Sequence, residues 1–185
     1  TMFVTPNTFG CADIGRVTAT LTVIDVNGNI STDNARVTVS DSVAPVAICQ
    51  DITVQLDATG NVSITAADVD NGSSDACGTP TLTIDNANFT CANVGPNTVT
   101  LTVTDANGNV ATCTSTVTVE DNVPPVANTM SYTLYLDATG NATVSPAMIN
   151  DGSSDACGID TMFVTPNTFG CADIGRVTAT LTVID

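Results

Sequence analysis

Hydrophobic and polar residues alternate along several short segments of this chain. The segment NTVTLTVTD (97–105) has Val99, Leu101 and Val103 at alternate positions with threonine between them, and TSTVTVED (114–121) repeats the pattern. A period of two residues is typical of half-buried antiparallel strands. The sequence DANGN (105–109) lies between the two segments, and its Asn-Gly pair favours a tight turn. We therefore predict a β-hairpin here.

These segments belong to a repeating pattern. Residues 1–25 are identical to residues 161–185. Within that period lies a looser repeat of half its length, which relates GSSDACG at 72–78 to GSSDACG at 152–158. A repeat of this kind is typical of arrays of small domains. The chain is therefore expected to be a window on a longer array in which two module types alternate.

Two proline-bearing segments mark the expected module boundaries. Taking VSDSVAP and VEDNVPP as linkers predicts one complete module A at 43–122, the C-terminal part of a truncated module B at 1–42, and the N-terminal part of the next module B at 123–185. Pro45, Pro124 and Pro125 restrict the backbone at the end of these linkers, which contain no flexible Gly/Ser spacer. Successive modules are therefore expected to lie end to end.

Further strands are predicted at 52–56, 61–65 and 81–85, and DATGN (57–61) is expected to form a second hairpin turn between the first two. No window has a helical period, which excludes a helical repeat. Several short strands with turn signals in each module predict an all-β fold of tandem immunoglobulin-like or fibronectin-like β-sandwich modules. A β-solenoid is the alternative, although solenoid repeats are normally much shorter.

Charge and composition exclude several functions. The formal net charge is −16, with three Lys plus Arg residues and no His, so nucleic acid is an unfavourable partner. Without His, the usual general base of a catalytic triad is missing, and no glycine-rich phosphate loop precedes a helix. No enzymatic activity and no insertion into a membrane are therefore expected. Aromatic residues make up only 4% of the chain, so each small core needs additional covalent support.

Several segments resemble a known family. The junction VPPVA, the cysteine segments SDACG and FTCANVG, and the closing hairpin LTVTDANGNVATCTSTVTVEDN are similar to the hyalin-repeat (HYR) module of very long surface adhesins of Bacteroidetes. The resemblance covers the whole chain, and it is closer for module A than for module B. It implies an immunoglobulin-like fold and a role in adhesion or in extending a binding tip from the cell, without enzymatic activity.

The cysteines fall at repeated positions. Module A has four and module B has two, and the seventh is Cys11. The two positions that module B lacks are Thr129 and Asp33, which correspond to Cys49 and Cys113. Because both are missing together, we expect these two cysteines of module A to bond each other. The predicted disulfides are Cys49–Cys113, Cys77–Cys91 and Cys157–Cys171.

Cys11 is equivalent to Cys171, and its partner is expected to lie before the first residue of the chain. Free thiols or a metal site are the alternative, but four cysteines without His or a Cys-x-x-Cys spacing make a poor zinc site. Paired cysteines indicate an oxidising compartment. An extracellular location, on the cell surface or in a secreted filament, is therefore predicted.

Acidic and amide side chains are concentrated in two loops and a linker of each module. In a sandwich, the loop after the second strand and the last hairpin both return to the end where the chain enters, next to the linker. Oxygen ligands with glycine turns suit calcium, so a structural Ca²⁺ is predicted there. The alternative is that these residues only shape turns. The candidate ligands are Asp41, Asp68, Asp70, Asp75, Asp105 and Asn107 for module A, and Asp25, Asn27, Asp121, Asp151 and Asp155 for module B, where Met148 stands at the position of Asp68.

Ser42 and Thr161 lie in the sequences Asp-Ser-Val and Asp-Thr-Met, which resemble the O-glycosylation motif of Bacteroidetes, and they are candidate glycan sites. The main functional prediction is a structural repeat region of an extracellular fibre or adhesin stalk. Its expected partners are neighbouring modules, with surface glycans or proteins bound at a distant tip. The alternative is that each module binds a glycan or protein directly, which the scarcity of aromatic residues weakens.

Overall fold

The computed structural model describes residues 1–185 and consists mainly of short strands. The strands are β1 (Met2–Thr5), β2 (Gly15–Ile24), β3 (Ile30–Val39), β4 (Ile52–Gln55), β5 (Asn61–Ser63), β6 (Thr81–Ile84), β7 (Asn88–Thr90), β8 (Gly95–Thr104), β9 (Val110–Glu120), β10 (Asn141–Thr143), β11 (Thr161–Thr165), β12 (Thr168–Gly170) and β13 (Thr180–Ile184). Helical structure is limited to the single turns α1 (Ala66–Val69) and α2 (Pro146–Ile149) and to three 3₁₀ turns at Cys11–Asp13, Cys91–Asn93 and Cys171–Asp173. The predicted all-β, sandwich-like class is confirmed.

The strands form five sheets. Four neighbouring strands follow the order β4-β9-β8-β6, and three follow the order β1-β2-β3. The pairs β5-β7, β10-β12 and β11-β13 form two-stranded sheets. A long ladder joins β2 to β3 in antiparallel register from Gly15 opposite Val39 to Ile24 opposite Ile30. None of the helices is long and apolar enough to cross a membrane.

The predicted hairpin at 105–109 is present between β8 and β9. The amide of Asp105 donates to the carbonyl of Asn109 at 3.0 Å, and Gly108 takes the positive φ of +90° that the turn requires. The alternating pattern buries one face of both strands almost completely. The buried side chains are Val99, Leu101, Val103, Val117 and Val119.

The second predicted hairpin is wrong, although its turn forms. The amide of Asp57 donates to the carbonyl of Asn61 at 3.0 Å, as expected for a tight turn. The flanking strands do not pair with each other, because β4 lies beside β9 and β5 pairs with β7. The amide of Leu56 donates to Glu120 O at 2.9 Å, so this segment finds its backbone partner in β9. The turn therefore carries the chain from one sheet to another.

The chain divides into two compact units. Unit 1 contains Thr1–Ile52, Thr65–Ala87 and Thr98–Thr116, and unit 2 contains Thr53–Ile64, Asn88–Asn97 and Val117–Asp185. Within unit 2, a buried cluster of Val144, Ile149, Val164 and Leu181 is surrounded by partly buried side chains that include Leu134, Met148 and Phe169. The module boundaries expected from the repeats stay a prediction.

The two identical segments 1–25 and 161–185 are buried differently. Val164 and Leu181 are only 6% and 7% exposed, whereas their copies Val4 and Leu21 are 42% and 38% exposed. The difference arises because the second copy packs into the core cluster of unit 2, to which Val144 and Ile149 belong. The second copy is therefore buried by residues that precede it along the chain, between Leu134 and Ile149.

Candidate functional site

Each predicted module boundary has the same local arrangement, in which the linker runs beside the SDACG loop. At the first boundary, Val46 and Ser74 exchange two backbone hydrogen bonds of 2.7 and 3.0 Å. At the second, Val126 and Ser154 do the same at 2.8 and 2.9 Å. The linker and the loop are therefore fixed to each other in both copies. We call each such region a junction, defined by its linker, its SDACG loop and the cysteine turn bonded to that loop.

A 3₁₀ turn presents the other cysteine of each junction. The carboxylate of Asp13 accepts the Gly10 amide at 2.8 Å and closes the turn that carries Cys11. In the corresponding turn after β7, the side-chain oxygen of Asn93 accepts the Thr90 amide at 2.9 Å. A side chain that accepts the amide before the turn satisfies a donor that the short helix leaves unpaired. The cysteine is thereby held at a fixed place just before strand β2 or β8.

Three disulfides are present, and they differ in part from the predicted set. The Cys49–Cys113 bond is confirmed. The other two bonds are Cys11–Cys77 and Cys91–Cys157, each with a sequence separation of 66 residues. Each of these links the turn cysteine of one predicted module to the loop cysteine of the next.

The predicted bonds Cys77–Cys91 and Cys157–Cys171 are therefore wrong, and so is the expectation that Cys11 has its partner before the first residue. Cys77 lies in unit 1 and Cys91 in unit 2, and each finds its partner inside its own unit. Cys157 is already bonded to Cys91, which leaves Cys171 as an exposed free cysteine. The number of cysteines in one predicted module is the same whether its turn cysteine bonds the loop cysteine of that module or of the next, so the count could not reveal the observed bonds.

An acidic pair lies beside the loop cysteine of each junction. The ligand atoms of Asp41, Asp75 and Cys77 all lie within 4.8 Å of one another, and Asp121, Asp155 and Cys157 form the equivalent group. All six residues are partly buried. The predicted approach of linker and loop is therefore present at both junctions. Two carboxylates next to a disulfide also repel an approaching thiolate, which slows thiol–disulfide exchange.

The hairpin at 105–109 also reaches the first junction. The Asn107 side-chain amide donates to the Asp41 carboxylate at 3.1 Å, and the Asn109 side-chain amide donates to the Asp41 carbonyl at 3.3 Å. Asn107 therefore contacts the acidic pair with its nitrogen. Side-chain hydrogen bonds thus hold the hairpin against the linker.

Other predicted ligands have local roles instead. Asp68 caps α1 by accepting the Thr65 amide at 2.6 Å and the Thr65 hydroxyl at 2.7 Å, and these bonds lower its pKa. Asp70 accepts the Ser73 amide at 3.0 Å, and a side-chain hydrogen bond from Ser73 is the main cause of its lowered pKa. Both carboxylates therefore stabilise the loop that carries Asp75.

The hairpin carboxylates are likewise satisfied within their own turns. Burial acts to raise the pKa of Asp105, but hydrogen bonds from Asn109 and Asn107 outweigh it, so this pKa lies below its usual value. Asp25 accepts the amides of Asn27 and Asn29 at 2.8 Å each, and the Asn29 side chain is the main cause of its lowered pKa. Asp25 and Asp105 therefore shape their own turns, which was the alternative to calcium binding.

Asp151 and the two candidate glycan sites lie on the surface. The amide of Asp151 donates to the Asn128 carbonyl at 3.0 Å, and its side chain is exposed. Ser42 is exposed in the linker, and Thr161 is the exposed first residue of β11. Both positions are accessible to a modifying enzyme, and glycosylation stays a prediction.

The acidic pairs suit a calcium ion only in part. Calcium takes six to eight oxygen ligands, and carboxylates are its usual protein ligands. Each junction supplies two convergent carboxylates, and its cysteine sulfur is already used in a disulfide. An ion held there would complete its coordination with backbone oxygen or water. Of the predicted ligands, Asp41, Asp75, Asp121 and Asp155 are placed to hold it.

No protein-family model and no curated protein sequence matches this chain. Its class is therefore defined by the fold and the junctions alone. The chain is an all-β protein with three disulfides, two of which repeat with the same separation. Disulfides of this number are typical of proteins that fold in an oxidising compartment.

Proposed function

We propose that this chain is a structural repeat region of an extracellular fibre or surface adhesin stalk of the hyalin-repeat type, without enzymatic activity. The recurrence of the same disulfide at both predicted module boundaries, with a separation of 66 residues each time, is the observation that carries this proposal. A bond that repeats with the module joins successive modules covalently. Covalent joints between successive modules suit a spacer that must stay extended, whereas a binding module that acts alone has no use for them.

Electron microscopy of the purified chain tests the proposed stalk. A strand of about eight residues spans roughly 26 Å, so with its loops each module should advance an end-to-end array by roughly 35–45 Å. We expect particles in which modules A and B lie in a line. Particles in which the modules pack side by side would contradict the stalk and favour direct recognition.

Calcium is the proposed ligand of the acidic pairs at the junctions. Carboxylates within 4.8 Å of one another repel, and the chain carries a net charge of −16, so a bound dication would relieve repulsion where modules join. Binding to the folded state alone raises stability by mass action, by about 2.7 kcal/mol when the free ion is at 100 times its dissociation constant.

Thermal unfolding with millimolar calcium or with chelator tests this part of the proposal. We expect calcium to raise the unfolding midpoint of the native chain but not that of the variant Asp75→Asn/Asp155→Asn. The matched control is Asp57→Asn/Asp137→Asn, which removes two carboxylates that accept hydrogen bonds within their own turns and belong to neither acidic pair, and it should keep the calcium response. An unchanged midpoint for the native chain would exclude calcium and leave the stalk untouched.

Direct recognition is the second candidate function, and one surface of unit 2 favours it. Tyr132 and Tyr135 line an open cavity of about 410 Å³ together with Leu134 and Met148. Tyrosine rings are common in surfaces that bind proteins and other ligands. Binding of a glycan or protein that is lost in Tyr132→Ala/Tyr135→Ala, with unchanged unfolding, would support recognition. Equal binding by the variant would exclude this surface.

A further inference from the structure

Cys171 is held in a well-defined turn although it has no disulfide partner. It begins the 3₁₀ turn Cys171–Asp173, and the Asp173 carboxylate accepts the Gly170 amide at 2.8 Å. The equivalent bond in the first copy of this sequence, from Gly10 to Asp13, has the same length of 2.8 Å. The free cysteine is therefore presented by the same local structure as the bonded Cys11.

The surroundings of Cys171 also match those of Cys91, which is bonded. The sulfur of Cys171 lies 3.8 Å from the carbonyl oxygen of Gly140, and the sulfur of Cys91 lies 3.7 Å from that of Gly60. A Cβ built on Gly140 would lie 2.8 Å from the Cys171 sulfur. The corresponding distance from Gly60 to the Cys91 sulfur is 2.5 Å. The sulfur of Cys171 therefore already occupies the place of a bonded turn cysteine.

We propose that Cys171 is the turn half of a third junction disulfide, whose other half is the loop cysteine of a module A joined after Asp185. Two observations carry this assignment independently. Residues 161–185 are identical to residues 1–25, whose Cys11 is bonded to the loop cysteine Cys77. The surroundings of Cys91 match those of Cys171, and Cys91 is bonded to the cysteine of an SDACG loop, Cys157. The assignment depends on neither calcium nor adhesion.

Formation of this bond requires an oxidant, for which a low-molecular-weight disulfide suffices. The loop cysteine first exchanges with that disulfide, forms a mixed disulfide and releases one small thiol. The Cys171 thiolate then attacks the loop sulfur of the mixed disulfide and displaces the second small thiol. Two protein thiols are oxidised to one disulfide, and one small disulfide is reduced to two thiols.

A longer protein tests the assignment directly. Continuing the chain after Asp185 with residues 26–185 keeps the repeat in register, because 161–185 is a copy of 1–25. Every two successive cysteines are separated by at least one aspartate, so cleavage at aspartate places each cysteine in its own peptide. Without reductant, we expect the Cys171 peptide to be linked to the cysteine 66 residues further on, as in the two observed junctions.

The variant Cys171→Ser is the control in the longer protein. It should leave that downstream loop cysteine reactive to maleimide, while the Cys11–Cys77 and Cys91–Cys157 bonds stay intact and report correct folding. A Cys171 that reacts with maleimide in the unsubstituted longer protein, beside the two intact bonds, would overturn the assignment. A Cys157–Cys171 bond would overturn it too.

The chain as it stands offers a second test that needs no extension. Cys11→Ser frees the loop cysteine Cys77, so that one copy can supply the turn half and another copy the loop half. Cys77→Ser frees Cys11 instead, which leaves two turn cysteines and no loop cysteine. With oxidised glutathione, we expect covalent head-to-tail oligomers linked by Cys171 and Cys77 to accumulate severalfold faster for Cys11→Ser. Equal rates for the two variants would count against the pairing.

Discussion

Gly60 lies where a turn meets a junction disulfide, and two separate constraints act on it. Its φ of +73° is in the left-handed region, which side chains disfavour. A Cβ at this position would lie 2.5 Å from the Cys91 sulfur and 3.3 Å from the Ala156 side chain. Gly72 has a similar φ of +88°, but nothing lies within 4 Å of its added Cβ. Substitutions at the two glycines therefore distinguish the cost of backbone strain, which both share, from the cost of steric conflict, which arises only at Gly60.

Gly60→Ala should be more harmful than Gly72→Ala. The left-handed backbone alone costs about 1–2 kcal/mol for a residue with a Cβ, which is the loss expected for Gly72→Ala. Gly60→Ala should lose more and should also lower the yield of the Cys91–Cys157 bond, because the new methyl group occupies space next to the sulfur. Denaturant unfolding and titration of free thiols measure the two effects. Equal losses from both substitutions would contradict the steric argument.

Asp57 shows how a turn carboxylate links stability to pH. Its carboxylate accepts the Thr59 hydroxyl at 2.6 Å and the Thr59 amide at 2.8 Å, and these bonds lower its pKa from the ordinary value of 3.8. A carboxyl group whose pKa is lower in the folded state stabilises the fold above its unfolded pKa. That contribution is lost as the pH falls through the folded pKa.

The native chain should therefore be more stable than Asp57→Asn at pH 7, and the difference should shrink as the pH falls below about 3.8. Comparing two proteins that differ at one residue removes the general effect of neutralising the other carboxylates. Unfolding midpoints measured for both proteins between pH 2 and pH 7 give this difference. A constant difference across that range would show that the charge of Asp57 is not involved.

At the scale of elements, alternation is sufficient to predict β8 and β9, because their buried valines and leucine leave only one possible face for the core. The turn at 57–61 is recognisable from its sequence, but its flanking strands pair in different sheets, which depends on contacts distant in sequence. Cys49–Cys113 is predictable because module B lacks both positions. The acidic sites are only partly predictable, since an aspartate that shapes a turn and one that faces a junction occur in the same loop sequence.

The junction disulfides cannot be deduced from the cysteine count. Cys157 is the copy of Cys77 in the next module, so Cys91 lies between two equivalent loop cysteines, one before it and one after it along the chain. A bond within a module and a bond between modules therefore use the same two repeat positions. The fold decides between them, because Cys77 and Cys91 belong to different compact units, whereas Cys91 and Cys157 share one.

Three equivalent phenylalanines provide a graded test of how the elements pack. Phe89 in β7 is 1% exposed, Phe169 in β12 is partly buried, and Phe9 is 36% exposed. Phe89→Ala should cost about 3–5 kcal/mol, because it leaves a cavity in a closed core. Phe169→Ala should cost less, and Phe9→Ala least. Denaturant unfolding of the three variants measures the order, and a loss for Phe9→Ala as large as that for Phe89→Ala would contradict the burial.

At the scale of the whole molecule, the chain has only three sites for trypsin. They are Arg16, Arg36 and Arg176, and there is no lysine. Complete digestion of the denatured, unreduced protein should release the peptides 17–36 and 177–185. The peptide 1–16 should stay attached through Cys11–Cys77 and should separate only after reduction. Mass spectrometry measures both states, and release of 1–16 without reductant would contradict this junction bond.

The junction disulfides also change how far the molecule can lengthen under load. Along the backbone, the segment from Cys11 to Cys157 would extend to about 500 Å once unfolded with all disulfides reduced. Through the two junction bonds, the covalent path contains only the short segment from Cys77 to Cys91, which spans about 50 Å at most. Tension between Cys11 and Cys157 therefore bypasses the rest of the intervening chain, including every residue of β8 and β9. The intact disulfides therefore limit this length to the reach of one short segment, and β8 and β9 carry none of the force, which falls on β6 and β7 instead.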